Sequence, residues 1–286
     1  MKHLLTIALV LAFNAFAEEN TGTTEETAAT SPDAHVVGRI DLRPSYVGQS
    51  ATGWDYHTEN MAELGYQFDL NTVLSYRQEF NTNIYNPTSE ANGGIDPTAQ
   101  GGFFRGQLKN VWVSEDKDWD LSLEARTYLP TNAGKRDAGM ITAIRNYGIL
   151  AYKASDTVDV SLFEIPIIHM YDRAGFGEKA NPSFENRVYL DVFANLSEDI
   201  TLEFPLMLYS TRTRSFSLAD GTQAKNGNQW DHNLSIYPEL LYKIDPTYTV
   251  GVSYSSGYLM EPDLSKFSIG SGLEKGTYQL VFIATL

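Results

Sequence analysis

The 286-residue sequence predicts an all-β chain: a transmembrane antiparallel up-and-down β-barrel of about twelve strands, with ten and fourteen as the neighbouring alternatives. Three observations predict it. Apolar and polar residues alternate with period two in one segment after another. The connections between those segments alternate between tight polar turns and long loops. The last ten residues, TYQLVFIATL, are themselves an alternating strand, where a soluble chain usually ends in a polar tail.

The N-terminal stretch MKHLLTIALVLAFNAFA has Lys2 and His3, an apolar run from Leu4 to Phe13, and a small-x-small site at Ala15-Phe16-Ala17. That is the pattern of a secretory signal peptide cleaved after Ala17, so residues 1–17 are assigned to export. The apolar run is short of the roughly 20 residues that a spanning helix needs. Residues 18–34 are rich in Thr, Glu and Ala, and Glu18–Ser31 contains no large apolar side chain. Such a stretch cannot offset its ordering entropy, so it reads as a flexible acidic tail ahead of a barrel over 35–286.

Composition narrows the class. There is no cysteine, which excludes disulfides and thiolate metal sites. The formal charge is -15, and loss of Lys2 with the signal makes it -16. Nucleic-acid binding needs clustered Lys and Arg and is not expected. Aromatic residues make up 12%, and no later stretch approaches about 18 consecutive apolar residues, so no helical span is expected.

The strands follow in order. The first lies in VVGRIDLRPSYV. In NMAELGYQFDL, Ala62, Leu64, Tyr66, Phe68 and Leu70 fall on one face and Glu63, Gly65, Gln67 and Asp69 on the other. The pair NT turns into VLSYRQEF, and the Pro- and Gly-containing stretch 81–101 reads as a long loop. FFRGQLKNVWV and WDLSLEARTYL are joined by SEDKD. MITAIRNYGILAYK and VDVSLFEIPIIHMY are joined by ASDT, FENRVYLDVFANL and ITLEFPLMLYSTRT by SED, and WDHNLSIYPELLYKI and YTVGVSYSSGYLM by DPT. Asp, Ser, Thr and Asn close such turns by bonding nearby backbone groups. The expected strand lengths of about 9 to 13 residues suit a tilted membrane crossing. Long loops are expected at 81–101, 171–182 and 213–229. Trp112, Trp119, Tyr66, Tyr76, Tyr152, Trp230, Tyr242, Tyr248 and Tyr258 fall near strand ends or on apolar faces, as interfacial aromatics do.

On these features, above all the closing strand with Tyr278, Leu280, Phe282 and Leu286 on one face, the chain resembles the outer-membrane β-barrel proteins of Gram-negative bacteria. In that family the alternating C-terminal strand is read by the assembly machinery and usually ends in an aromatic; here Leu286 stands in that place. The resemblance implies location in the outer membrane and contact with outer-membrane lipid, lipopolysaccharide and the barrel assembly machinery. In size and in its arginines the chain is also similar to the small monomeric sugar-acid porins of about twelve strands, although it carries many acids as well. The oligomeric state is not readable.

If the apolar faces meet lipid, the alternate positions line the lumen. The expected pore-lining set is Arg39, Asp41, Arg43, Glu63, Asp69, Arg77, Glu79, Arg105, Lys109, Glu124, Arg126, Arg145, Glu185, Arg187, Asp191, Glu203, Glu239 and Lys243. Rings of charge set ion selectivity, whereas mutually paired charges would fill the lumen. The expected function is a porin-like channel for passive diffusion of ions and small polar solutes; the alternative is a structural or adhesion barrel acting through its extracellular loops.

Catalytic residues, cofactors and metals are not expected. His169 has no Ser beside it in a recognisable motif, and Asp231 and His232 are adjacent, hence on opposite strand faces. His3, His35, His57, His169 and His232 lack metal-ligand spacing. EPDLSKF, with Glu261 and Asp263, reads as a solvated acidic loop rather than a calcium loop.

Overall fold

The computed structural model of the chain describes residues 35–50, 53–85, 96–224, 226–256, 259–260, 267 and 276–285. The signal peptide and acidic tail, and with them Tyr258, Glu261, Asp263 and Leu286, lie outside the described residues. The strands belong to one compact unit, Asp33–Leu286.

The strands are β1 (His35–Ser50), β2 (Gly53–Gln67), β3 (Thr72–Tyr85), β4 (Asp96–Val113), β5 (Trp119–Leu129), β6 (Met140–Lys153) and β7 (Val158–Tyr171). Two short strands, β8 (Gly175–Phe176) and β9 (Lys179–Ala180), form a separate hairpin inside a loop. The main sheet continues with β10 (Pro182–Asn195), β11 (Ile200–Thr213), β12 (Trp230–Ile236), β13 (Glu239–Lys243), β14 (Tyr248–Ser255) and β15 (Thr277–Thr285). One five-residue helix, α1 (Ala133–Asp137), sits between β5 and β6.

Neighbours in sequence pair antiparallel, and the sheet closes on itself through β1 and β15, with Arg39 opposite Thr285 and Tyr46 opposite Tyr278. β12 and β13 both pair with β11 and are two halves of one stave, interrupted at Tyr237-Pro238, where Tyr237 N still donates to Pro205 O at 3.0 Å. The result is a closed barrel of twelve staves. Closure leaves no sheet edge to template aggregation or to strand unpaired amides in lipid.

The five short turns lie at one rim, together with the start of β1 and the end of β15. Each is closed by its own polar side chains. Asp69 Oδ1 accepts from the backbone N–H of Asn71 and of Thr72, both at 2.7 Å. Trp119 N donates to Ser114 Oγ at 3.0 Å, Thr157 N to Ser155 Oγ at 3.2 Å and Ile200 N to Ser197 Oγ at 3.1 Å. Asp245 Oδ1 accepts from Thr247 N at 2.7 Å and Tyr248 N at 2.8 Å.

Several strands outrun their expected lengths: β4 has 18 residues and β1 has 16. The stretch 81–101, expected as loop, is strand at both ends, with Thr82 opposite Pro97 and Asn83 opposite Asp96. Ladder hydrogen bonds use the backbone alone, so a hairpin continues past the point where alternation stops. β1 and β2 likewise stay paired as far as Ser50 opposite Gly53.

Burial confirms the two faces. Leu64, Leu74, Phe104, Leu162, Leu190, Phe204, Val252 and Leu280 are exposed on the outward face, while the positions between them turn inward. Aromatic side chains gather at the short-turn rim: Tyr66 packs edge-on to Phe68, Trp119 lies 4.5 Å from Tyr152 and Tyr248 lies 5.9 Å from Phe282. At the other rim Tyr254 packs on Tyr278 and Phe184 on Trp230. These are the two girdles of a membrane barrel.

Gly251 permits a close approach: an added Cβ would stand 2.4 Å from Leu240 O and 2.7 Å from Leu241 Cδ2. Gly251→Val is expected to destabilise the barrel by about 1–3 kcal/mol, measured as a lower urea midpoint of folding in lipid vesicles. In the β2–β3 turn, the Asn71 N–H holds the Asp69 carboxyl below its ordinary value of 3.8. The folded value is depressed, so the turn bond contributes fully above that ordinary value and is lost as pH falls through the lowered one. Amide exchange at Asn71 and Thr72 is expected to quicken in that acid window, and Asp69→Asn to remove the pH dependence.

Candidate lumen site

The inward face of β3–β6 carries a ladder of arginines. Arg105, Arg126 and Arg145 stand directly opposite one another across β4, β5 and β6, and Arg77 lies on the neighbouring strand. Like charges in register repel. Two buried glutamates offset this. Glu63 accepts from Arg77 Nη2 at 2.6 Å, from Arg105 Nη1 at 2.9 Å and from Ser75 Oγ at 2.5 Å. Glu124 accepts from Arg105 Nε at 2.6 Å and from Arg126 Nε. Aromatic faces supply the rest: the Arg126 guanidinium sits 4.2 Å from the Tyr147 ring centroid and 5.0 Å from that of Phe103. Arg145 lies 4.0 Å over Tyr128 and, among the described residues, has no carboxylate partner. Glu79 faces the same space, with an oxygen 3.0 Å from where a Cβ on Gly101 would be.

Towards the long-loop rim this wall is apolar. Phe103, Tyr128, Met140, Ala143, Tyr147, Ile165 and Ile167 form a buried cluster on the inward side. Inward aromatics and isoleucines pack against one another here, and the rings of Phe103, Tyr128 and Tyr147 carry arginines on their faces.

On β10 the buried Glu185 binds Arg187 Nε at 2.6 Å and lies 3.2 Å from His169 Nε2. Around the wall from β10 to β1, opposite the ladder, acids gather. Asp41, Asp191 and Glu239 are buried, and Glu203 lies cross-strand from Glu239. Arg43 Nη1 reaches Glu239 Oε2 at 2.7 Å, bridging β14 and β15, and Arg39 Nη2 donates to Asp41 at 3.0 Å. A cavity of about 600 Å³ opens there, lined by Arg39, Arg43, Glu203, Pro205, Tyr237, Glu239, Leu241, Thr249, Ile283 and Thr285.

Three expected lumen residues are elsewhere. Asp69 is not on a strand: β2 ends at Gln67, and Asp69 closes the following turn. Lys109 is exposed at a bulge in β4, its N–H donating to Asn71 O in that same turn. Lys243 is exposed as the last residue of β13. All three stand at the short-turn rim: Asp69 past the end of β2, Lys109 in the irregularity between Leu108 and Trp112, and Lys243 in the last pair of β13, opposite Thr249.

Sequence reasoning missed Lys135. It projects from α1, capped by Asn132 Oδ1 accepting from Lys135 N at 3.2 Å, into the field of Arg145, Glu79, Glu185 and Arg187. Burial, and then Arg145, push its ammonium below the ordinary lysine value. No local pattern announces this; the loop is placed by tertiary bonds, with Asn181 Nδ2 donating to Ala138 O at 2.9 Å and Asp172 N to Gly139 O at 2.8 Å. Also missed was a hydrogen bond of 2.8 Å between Ser210 Oγ and His232 Nδ1, on the outward face of β11 and β12. Trp230 stacks on that imidazole, and no carboxylate holds its Nε2 among the described residues. Of the expected assembly face, Tyr278, Leu280 and Phe282 are exposed on the outward side of β15.

The barrel architecture is shared with solved outer-membrane channels. The NanC porin aligns with a TM-score of 0.54 at 12% identity, covering 86% of this chain and 99% of that one. The COG4313 outer membrane channel from Pseudomonas putida F1 aligns with a TM-score of 0.58 at 11% identity, covering 92% of this chain and 100% of that one. No family model matches the chain. No curated protein matches it in sequence. At these identities the likeness is one of fold: a closed, twelve-stave antiparallel barrel of the kind these channels have.

Glu124 is the shared acceptor for two arginines in register. Glu124→Gln leaves one charge fewer among buried guanidinium groups and is expected to lower folding stability by about 1–3 kcal/mol, with Glu124→Ala at least as severe, by urea unfolding in lipid vesicles.

Proposed function

We propose that this chain is a channel of a Gram-negative outer membrane, admitting ions and small polar solutes by passive diffusion. The observation that carries the reading is the charged inward face: an arginine ladder on one wall and a carboxylate cluster opposite, beside a cavity of about 600 Å³. Transport on this reading needs no cofactor and no catalytic residue, only the barrel's width and the field between its walls. Residues 1–17 act as a cleaved export signal, the short turns face the periplasm, and the long loops face outwards. The closing strand with Tyr278, Leu280, Phe282 and Leu286 engages the assembly machinery, and lipid and lipopolysaccharide surround the barrel.

Purified protein in a planar bilayer is expected to give steady ohmic steps. Removing one lumen charge changes ion energies in a watery pore by about 1 kcal/mol, a few-fold in permeability ratio. Arg145→Ala is therefore expected to shift the reversal potential across a KCl gradient towards cation preference, and Glu203→Gln towards anion preference. No conductance from protein with folded, heat-modifiable gel mobility would reject the channel and favour a structural or adhesion barrel.

A further inference from the structure

The outward face of the barrel is largely apolar at mid-height; Gln78 on β3 breaks it with a neutral amide, and β7 breaks it with an ionisable group. Glu164 stands on β7 between Leu162 and Ile168, exposed on the lipid-facing side. Its cross-strand neighbours are Gly148 on β6 and Val188 on β10. Among the described residues it has no hydrogen-bond or ion-pair partner. An ionisable group in the hydrocarbon layer is costly and marks a functional contact by default.

Its surroundings say what kind. Asn146 on β6 and Asn186 on β10 flank it one pleat nearer the long-loop rim. Asn146 is exposed, and the Oδ1 of Asn186 is enclosed without a partner. Beside them the belt is hollow: Gly106 lies opposite Ala125, Ala125 opposite Asn146, and an added Cβ at Gly106 or Gly148 meets nothing within 4 Å. Small residues let two backbones approach closely in a membrane, and polar side chains then bond across the contact.

We propose that this patch is the interface with a second copy of this chain, related by a two-fold axis, with each Glu164 accepting from the asparagine amides of the other copy. Acyl chains offer no donor. The patch carries both acceptor and amide donors, so it is self-complementary, as an isologous contact requires. A head-to-tail ring would need a second, different patch. The other charged side chain on the outward face among the described residues is Arg212, next to the end of β11, where Asn228 Oδ1 accepts from its Nη2 at 2.6 Å. The proposal does not depend on conductance, so it stands or falls separately from the channel reading.

The chain has no cysteine, so single-cysteine labels are unambiguous. Mature protein carrying Leu150→Cys, one pleat from the hollow on β6, spin-labelled and reconstituted in bilayers, is expected to show strong intermolecular dipolar coupling. The same label at Val252→Cys on β14, away from the patch, is expected to show none. In mild detergent, light scattering is expected to give twice the protein mass of one chain. Glu164→Leu is expected to weaken association at least tenfold while keeping folded gel mobility, and Asn146→Leu to weaken it in the same direction. Absence of coupling at position 150, equal coupling at 252, a monomeric mass, or association unchanged in both variants would each overturn the proposal. A cross-linked product in native membranes whose mass is not twice that of the chain would also overturn it, by assigning the patch to a different protein.

Discussion

A chain that crosses lipid with strands must satisfy every backbone N–H and C=O within its own sheet, and the pairing of β1 with β15 is where this chain meets that demand. Without it, two edges would carry unpaired amides into hydrocarbon, each at a cost of several kcal/mol. The rest of the architecture depends on that closure. It sets an even stave number, brings both ends of the described barrel to the short-turn rim, and forces the period-two alternation into an inside and an outside. It also explains a closing strand with alternating apolar residues: Tyr278, Leu280 and Phe282 belong to the same outward surface as the strands beside them.

The lumen solves a different problem. Arg105, Arg126 and Arg145 are held side by side by the ladder register, which brings like charges within a few ångströms. Glu63 and Glu124 are each shared between two guanidinium groups, and the rings of Phe103, Tyr128 and Tyr147 take up the remaining positive charge on their faces. Each carboxylate therefore fixes two side chains, so the wall is rigid where a single ion pair would leave a mobile one. Across the lumen the balance reverses: Asp191, Glu203 and Glu239 gather on one wall, Arg43 bonds Glu239, and space is left beside them. A filled wall facing an open one is an arrangement that neither uniform pairing nor a uniform ring of charge would produce.

The outward surface shows the same economy of means. Where the belt is regular, large apolar side chains cover it. Where it is interrupted, at Glu164, the neighbouring strands supply glycine and alanine rather than bulk. The loops on the long-loop rim are likewise tied to each other: Asn181 bonds Ala138 O, and its carbonyl accepts from Arg214 N at 2.9 Å. This brings Lys135 over the mouth of the lumen.

Alternation, turn chemistry and strand length were local properties, so the sequence by itself determined the barrel class, the twelve staves, the short turns closed by Asp and Ser, and the face on which most charges lie. These features repeat every two residues or sit within four of one another, and are readable without knowing what packs against them. The tertiary structure alone decided the rest. Strand ends depend on ladder pairing, which carried β3 and β4 into the stretch expected as loop and left Asp69, Lys109 and Lys243 at the rim. Inter-strand register decided that three arginines align and which glutamates they share. Loop packing decided the place of Lys135, and barrel closure set the acids of β10–β13 opposite the ladder. Each of these is a relation between residues far apart in the chain, and the charge on a single residue does not say which partner it will meet.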